Sequence, residues 1–346
     1  MARQSPIKVT QIQQVCIVVK DLQKTVEAFW NIFGIGPWAI FPFGSPGVPD
    51  LKYYGKPAWG RYRGAIVQAG PVELELFETI EGASVYQDWI DTQGEGLHHC
   101  KFLVEDLDVG RVERVMADLG FPSIAGGHFG PELKGQFSYF DTRKPLKCIW
   151  ETSNRKGGTP YGATFYPEDP KAKSPAKVKV KGIKQIGICV KDLFSTAENY
   201  WNILGIGPWE IREWGTPVLF HRTYHGKPGW GKERLAHAYL GDLEFELVQP
   251  VEGDSVYSDW IAEHGEGLHH LKFLCDDIDE VVRLLTEQGF PSIQGSHFGE
   301  DPGQKPGGFN YLDIPPLHCI WEPVHKPKTL PVVPFAYIPA KQVENR

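Results

Sequence analysis

The chain has 346 residues, with 36 Lys and Arg against 43 Asp and Glu, which gives a formal net charge of -7. This mild acidity excludes a strongly basic surface of the kind that binds nucleic acid or an anionic membrane. Hydrophobic residues make up 41% of the chain and charged residues 23%, which is the composition of a globular protein rather than of a disordered one.

The six cysteines contain no CxxC pair and lie within apolar runs that are typical of strands. They predict buried free thiols in a reducing compartment rather than disulfides. No apolar run reaches the roughly 18 residues that a membrane-spanning helix requires, and the first residues lack the apolar core of a signal peptide. The sequence therefore predicts a soluble, cytoplasmic protein.

One long segment occurs twice in the chain. KDLQKTVEAFWNIFGIGPW recurs as KDLFSTAENYWNILGIGPW, and GEGLHHCKF recurs as GEGLHHLKF. Trp30 and Trp201 are 171 positions apart, as are Trp150 and Trp321. A repeat of this length can form a core of its own, so each copy is predicted to be a domain.

The composition between and after the two copies sets the predicted domain limits. The first copy covers residues 9–152 and the second covers residues 180–323. Residues 153–179 are rich in Pro, Gly and Lys and are predicted to form a linker. Residues 324–346 contain too many prolines for a helix and are predicted to form an extended tail.

Each copy shows the same order of predicted elements. The strand QVCIVV precedes a helix that Asp21 caps and Gly34 ends. AIVQAGPVELELFE predicts a hairpin of two strands, and a short helix follows over residues 86–91. The strand HHCKFLV leads to a helix over residues 106–119, and strands at FSYFD and LKCIWET close the copy. This order predicts an α+β fold with helices on one face of a mostly antiparallel sheet.

Alternation along these strands places polar side chains on one face of the sheet. In VELELFE, Glu73 and Glu75 lie opposite Leu74. In HHCKFLV, His99 and Lys101 share a face in the same way. Carboxylates on a central strand do not belong in an apolar core, so this face meets water, a cation or a ligand. For any single strand, a solvated sheet face is the alternative.

Four polar positions recur in both copies, again 171 apart. Each set holds one amide, two carboxylates and one imidazole on four strands: Gln14, Glu75, His99 and Glu151 in the first copy, and Gln185, Glu246, His270 and Glu322 in the second. This mixed nitrogen and oxygen set suits a divalent metal such as zinc, nickel, cobalt or manganese. We therefore predict one ion in each domain, with Glu73 and Glu244 as alternative ligands or bases.

The strand QVCIVVKDL with its helix, the motif GEGLHHCKFLVEDLD and a last strand that ends in Glu resemble the vicinal oxygen chelate superfamily. This superfamily includes glyoxalase I, methylmalonyl-CoA epimerase, extradiol dioxygenases and bleomycin-resistance proteins. VVKDL, GIGPW and GEGLHH are closest to the epimerase-like branch, whereas the Gln/Glu/His/Glu set is similar to that of glyoxalase I.

The resemblance implies that each domain consists of two βαβββ modules, which form a cup-shaped sheet around one metal, with the helices on the outer face. It also implies a pseudo-dimer within one chain, and a homodimer of whole chains is a further expectation. The metal ligands Gln14, Gln185, His99 and His270 are carried over from the family, together with the four glutamates Glu75, Glu151, Glu246 and Glu322.

The same resemblance implies a metal-dependent isomerase, epimerase or lyase. A ligand glutamate (Glu151, Glu322, Glu75 or Glu246) would remove a proton next to a metal-bound carbonyl of a small substrate, and the Trp-rich loops favour an aromatic one. A ring-cleaving Fe(II) dioxygenase is one alternative, which Gln on the first strand disfavours because that chemistry uses two His and one carboxylate. A binding protein without turnover is another, and a third makes only one copy catalytic.

Six further residues are predicted to contact the substrate: Lys101, Lys272, Tyr53, Tyr224, His128 and His297. The lysines suit a substrate carboxylate or phenolate, the tyrosines can donate a hydrogen bond, and the histidines belong to a loop at the cup mouth. Each has a purely structural alternative. No basic cluster indicates a pocket for coenzyme A or glutathione, so the identity of the substrate stays open.

Overall fold

The computed structural model describes residues 5–169, 171–299, 305–327 and 330–340. The chain divides into two compact units. The first unit comprises Val9–Gly182 and Pro315–Cys319, and the second comprises Met1–Lys8, Ile183–Ile314 and Ile320–Arg346. The domain limits inferred from the sequence repeat stay a prediction.

The first copy of the repeat and the segment after it form a single sheet of eleven strands. The strands are β1 (Val9–Val18), β2 (Trp38–Gly44), β3 (Lys52–Tyr53), β4 (Lys56–Pro57), β5 (Gly60–Ala69), β6 (Val72–Gly82), β7 (Gly96–Val104), β8 (Ser123–Phe129), β9 (Gly135–Asp141), β10 (Ile149–Ser153) and β11 (Thr164–Tyr166). The helices are α1 (Leu22–Phe33), α2 (Val85–Gln93), α3 (Val109–Asp118) and α4 (Arg143–Leu146), with a 3-10 turn at Pro131–Leu133. The strand order is β11-β2-β5-β6-β1-β7-β10-β9-β8-β3-β4.

The second copy repeats this arrangement in another eleven-stranded sheet. The strands are β12 (Ile183–Cys189), β13 (Trp209–Gly215), β14 (Leu219–Tyr224), β15 (Lys227–Pro228), β16 (Gly231–Leu240), β17 (Leu243–Gly253), β18 (Gly267–Leu274), β19 (Ser292–Phe298), β20 (Gly307–Ile314), β21 (Cys319–His325) and β22 (Ala336–Ile338). The helices are α5 (Leu193–Leu204), α6 (Val256–His264) and α7 (Ile278–Thr286), with a 3-10 turn at Pro315–Leu317. The order is β15-β14-β19-β20-β21-β18-β12-β17-β16-β13-β22.

The predicted α+β class is confirmed, since each sheet is mostly antiparallel. In the first sheet only β1 with β6 and β7 with β10 are parallel neighbours, and β12 with β17 and β18 with β21 are parallel in the second. Each copy therefore contains two βαβββ modules, which are β1-α1-β2-β5-β6 and β7-α3-β8-β9-β10 in the first copy. Each parallel pair closes one module, and the antiparallel pairing of β1 with β7 joins the two modules at the centre of the sheet.

Local capping explains where the helices begin and end. Asp21 accepts a hydrogen bond from the backbone N–H of Lys24 at 3.0 Å, and Gly34 ends α1 with a positive φ of 68° that a side chain would disfavour. The helix predicted over residues 106–119 is shorter than expected. It begins at Val109 because the side chain of Asp108 accepts a hydrogen bond from the N–H of Arg111 at 2.8 Å.

Two segments outside the predicted domains also pair with the sheets. Within the predicted linker, Thr164–Tyr166 forms β11, an edge strand on β2. Within the predicted tail, β21 runs on to His325, and Ala336–Ile338 forms β22 on the edge of β13. Edge strands offer unpaired backbone groups, and these two segments satisfy them. The end of the predicted tail, residues 341–346, lies outside the described residues.

The side chains of the two cores follow the predicted alternation. Trp38, Trp150, Trp209 and Trp321 are fully buried, whereas Trp59 and Trp230 are half exposed. The six cysteines are free thiols, as predicted, and all except Cys275 are buried. Among the described residues, no helix is both long and apolar enough to cross a membrane.

Candidate metal centre

The four predicted ligands of the first copy lie on four adjacent strands. These strands are β6, β1, β7 and β10, at the centre of the sheet. Gln14 pairs in register with Lys101, Cys16 with His99, and Lys101 with Glu151. Because alternate residues of a strand share a face, this register brings the polar side chains together on one face.

The side chains of this set meet at one point. The Nε2 atom of His99 lies 3.4 Å from Glu75 Oε2 and 3.3 Å from Glu151 Oε2. Gln14 donates from Nε2 to Glu73 Oε1 at 3.0 Å, which leaves its own Oε1 free. Within the described part of the chain, Gln14 Oε1, Glu75 Oε2 and His99 Nε2 are buried atoms without a hydrogen-bond partner.

This geometry fits a divalent cation. Ligand bonds of about 2.1 Å place neighbouring ligand atoms about 3.0 to 3.4 Å apart, close to the separations around His99. Buried polar atoms without a partner are costly, and a bound cation would satisfy them. The thiol of Cys16 also lies within 4.8 Å of ligand atoms of Glu75 and His99, although the sequence analysis did not single it out.

The two glutamates beside His99 favour a positive charge at this point, which either a proton on His99 or a metal ion can supply. Burial lowers the pKa of His99, but Glu151 and Glu75 outweigh this and raise it to about 9. Burial also raises the pKa of Glu75 against the opposing effect of His99. Burial keeps His98 neutral by lowering its pKa, and its Nδ1 lies 2.8 Å from Nδ1 of His99. His98 therefore orients the His99 ring, a role that the sequence did not indicate.

Three residues of the set, Gln14, Glu75 and Glu151, line a cavity of about 810 Å³, which we call the first cup. Its walls are largely apolar and include five phenylalanines: Phe41, Phe43, Phe77, Phe129 and Phe137. Lys101 lines the cavity and is only 2% exposed. Its ammonium group makes no hydrogen bond or ion pair to any residue that the structure describes. Arg155, from the predicted linker, also lines the first cup and pairs with Glu73 at 3.2 Å.

The second copy brings its four predicted ligands together in the same way, on adjacent strands β17, β12, β18 and β21. His270 Nε2 lies 3.3 Å from Glu246 Oε2 and 3.5 Å from Glu322 Oε2. One contact differs from the first copy, because His270 Nε2 is also 3.2 Å from Gln185 Oε1 and hydrogen-bonded to it. Glu246 and Glu322 line a cavity of about 90 Å³, which we call the second cup.

The second cup contains charged partners that the first cup lacks. His237 pairs in register with Glu246, and its Nε2 lies 2.9 Å from Glu246 Oε1 and 3.2 Å from Glu244 Oε1. His237, Glu244 and Glu246 form the second group of ligand-type residues within 4.8 Å of one another. Lys272 and Lys326 contact the two oxygens of Glu244 at 2.8 and 2.9 Å.

These contacts lower the pKa of Glu244 and Glu246, whereas the pKa of Glu75 in the first cup is raised. Burial would raise the pKa of Glu246, but hydrogen bonds from His237 and His270 lower it overall. Burial is likewise outweighed at Glu244, where Lys272 contributes most to the lowered pKa. His237 was missed because the first copy has Ile66 at this position; the alternation of β16 would have placed it on the polar face.

The structure places four of the six predicted substrate contacts away from the cups. The hydroxyls of Tyr53 and Tyr224 each donate to an aspartate of the following helix, at 2.8 Å to Asp88 and to Asp259. His128 lies 2.7 Å from Asp50, and His297 lies 3.5 Å from Asp279. None of the four lines the first or the second cup, whereas Lys101 and Lys272 do.

Comparisons with known proteins agree with this architecture. The model of the Glyoxalase/Bleomycin resistance protein/Dioxygenase superfamily matches residues 13–140 and again residues 184–305. An uncharacterized protein of Bacillus subtilis (strain 168), YqjC, is 27% identical over 106 residues, which are 31% of this chain and 66% of that protein. The match therefore spans slightly less than two thirds of the relative.

Solved structures also match this chain, and the first of the two below has a similar fold. A triple mutant of 4-hydroxymandelate synthase from Streptomyces coelicolor has a TM-score of 0.58 and 14% identity over 93% of this chain and 94% of the other. The Mn(II)-bound glyoxalase from Novosphingobium aromaticivorans has a TM-score of 0.46 and 14% identity over 95% and 85% of the two chains. With both copies matched by the family model, this chain belongs to the Glyoxalase/Bleomycin resistance protein/Dioxygenase superfamily.

Proposed function

We propose that the first cup is the active site of a metal-dependent isomerase, epimerase or lyase that moves a proton next to a substrate carbonyl. The observation that carries this proposal is the meeting of unpartnered ligand atoms beneath a large cavity. Gln14, Glu75, His99 and Glu151 would hold the ion. A bound dication supplies Lewis acidity, which polarises the carbonyl and stabilises the negative oxygen that forms when the neighbouring carbon loses its proton.

Glu151 is the best placed of the glutamates to act as the base. It lines the first cup, and its only close polar contact among the described side chains is His99, at 3.3 Å. In the second copy the equivalent Glu322 is held by the hydroxyl of Tyr311 at 2.8 Å. The nearest tyrosine of the first copy, Tyr139, is instead hydrogen-bonded to Tyr86 at 2.9 Å. The carboxylate of Glu151 is therefore free to take up and return a proton.

Lys101 and the aromatic walls point to the class of substrate. A buried ammonium group without a hydrogen bond or ion pair is unfavourable, and a carboxylate or phenolate of the substrate would satisfy it. Phe41, Phe43 and Phe137 line the same cavity and suit a flat, apolar body. We therefore expect a small aromatic or apolar carbonyl compound that carries one negative charge.

Proton exchange tests this function directly. Mn²⁺-loaded protein would be incubated in D₂O under argon with a panel of aromatic and aliphatic 2-oxo and 3-oxo carboxylates, and the loss of the proton next to the carbonyl would be followed by NMR. We expect exchange that depends on the metal and on Glu151. Oxygen uptake by Fe(II)-loaded protein without exchange would instead identify a dioxygenase, and tight binding without either reaction would identify a binding protein.

Other parts of the sequence-based interpretation stay predictions. They are one ion in each domain, the choice among zinc, nickel, cobalt and manganese, the cytoplasmic location, and the association into a pseudo-dimer or a homodimer. The second copy carries the same four ligand types, so the number of ions per chain depends on whether its ligand atoms are available.

A further inference from the structure

We propose that the second cup takes no divalent ion, because its own side chains already satisfy the ligand groups, and that the chain has one metal site and one working cup. This inference rests on the proposed function of the first cup. It contradicts the expectation of one ion in each domain, which followed from the identical ligand types of the two copies.

The neutral ligands of the second cup bind each other. His270 Nε2 and Gln185 Oε1 are 3.2 Å apart. An amide oxygen only accepts hydrogen bonds, so Nε2 of His270 carries the hydrogen, and a metal would have to displace this proton and break the bond to Gln185. His269 Nδ1 lies 3.0 Å from the other ring nitrogen, which fits this tautomer because that nitrogen then accepts. In the first cup, the corresponding atoms of Gln14 and His99 are not hydrogen-bonded to each other or to any other described residue, and His99 faces only Glu75 and Glu151.

The acidic residues of the second cup are also engaged. Lys272 and Lys326 place an ammonium group on each oxygen of Glu244. His237 lies 2.9 Å from Glu246 Oε1, and its Nδ1 lies 3.5 Å from Nη1 of Arg212. A guanidinium only donates, so Nδ1 of His237 accepts and Nε2–H is left to donate to Glu246. A dication placed here would meet fixed positive charges a few ångströms away.

The space above the site is reduced as well. The second cup has about 90 Å³ against about 810 Å³ for the first. Arg212 and Trp214 line the second cup where the first has Phe41 and Phe43. Two carboxylate oxygens, Glu246 Oε2 and Glu322 Oε2, lack a hydrogen bond among the described residues, but both face His270 within 3.5 Å. His99 makes the same two contacts in the first cup, so the difference between the cups lies in Gln185, His237 and the two lysines.

Metal stoichiometry tests this inference on the full chain. Protein freed of metal by a chelator would be titrated with Mn²⁺, with the free ion followed by EPR, and the bound ion counted by elemental analysis after gel filtration. Wild type, His99→Ala and His270→Ala form the matched set. We expect one ion per chain in wild type and in His270→Ala, and none in His99→Ala.

Each other outcome separates the two proposals. Two ions in wild type overturn this inference and leave the proposed function of the first cup intact, even if His270→Ala fails to fold. A single ion that is lost in His270→Ala but kept in His99→Ala overturns both proposals. Binding of no ion at all removes the proposed function, and the contrast between the cups fails with it.

Discussion

The first and second cups are formed by the two copies of one repeated sequence. They share four ligand types on four equivalent strands, yet the residues around these ligands differ. Beside the first set stand Ile66, phenylalanines, a lysine without a hydrogen bond or ion pair, and Arg155, which pairs with Glu73. Beside the second stand His237, Lys272 and Lys326, each paired with a glutamate. A set of ligand residues that is repeated within a chain therefore does not determine the chemistry of each copy. The residues one strand away decide whether the ligands are free.

The pKa directions of two equivalent glutamates show the consequence. Burial raises the pKa of Glu75, so its carboxylate lacks sufficient compensation in the protein alone. The pKa of Glu246 is lowered, although it is equally buried, because His237 and His270 donate to it. A bound cation would therefore stabilise the buried carboxylate of the first cup, whereas side chains of the protein already stabilise the carboxylates of the second cup.

The largest expected effect concerns the base. Glu151→Gln should lower the rate of proton exchange by about 100-fold or more, since a positioned general base contributes about that much. Glu322→Gln should leave the rate within about threefold, because the second cup does no chemistry. The rate of deuterium incorporation measures both, with circular dichroism as the control for folding. Equal losses in the two variants would show that the two cups work alike.

The two lysines should differ in their effect on stability. Lys272→Met removes a partner of the buried Glu244 and should lower the free energy of unfolding by about 3 kcal/mol. Lys101→Met removes a buried ammonium group that makes no hydrogen bond or ion pair and acts on Glu75 only at longer range, so the loss of stability should be much smaller. Urea unfolding followed by tryptophan fluorescence compares them. A similar loss for Lys101→Met would mean that this ammonium has a partner in the free protein.

The affinity of the first cup for Mn²⁺ should depend on pH. The pKa of His99 is raised to about 9, so below that pH the metal-free protein holds a proton that the ion must displace. The affinity should therefore rise about tenfold per unit between pH 6 and pH 8, and level off above about pH 9. Titration in weakly buffered solution with a pH indicator should show the released proton. An affinity that falls as the pH rises would contradict this protonation state.

A smaller effect should follow when the first cup is given a feature of the second. Ile66 pairs in register with Glu75, as His237 pairs with Glu246. Ile66→His should supply Glu75 with an internal hydrogen-bond donor and weaken Mn²⁺ binding by about tenfold, equivalent to one charge-assisted hydrogen bond. Ile66→Val is the matched control and should bind as wild type does. Tighter binding by Ile66→His would show instead that the imidazole acts as a metal ligand.

Much of the fold was predictable because its signals are local. The period of two along β6 and β7 sorted Glu75 and His99 onto one face, and the cap at Asp21 marked the start of α1. The repeat shows each of these patterns a second time in the other copy. The tyrosines of the YxGKPxWG motif, Tyr53 and Tyr224, donate to Asp88 and Asp259, and their contact with the substrate stays a prediction. Nothing local indicates these hydrogen bonds, because each aspartate lies more than thirty residues away.

The sequence by itself determined the duplication, the α+β class and the polar face that carries the two ligand sets, since these depend on spacing along single strands. Only the tertiary structure decided which ligand atoms have partners. Hydrogen bonds form over about 3 Å between groups that are far apart in the chain, as between Gln185 and His270, and Lys326 reaches Glu244 from a segment predicted to be a tail. The same four residue types therefore differ in chemistry, because their ligand atoms are free in one cup and hydrogen-bonded in the other.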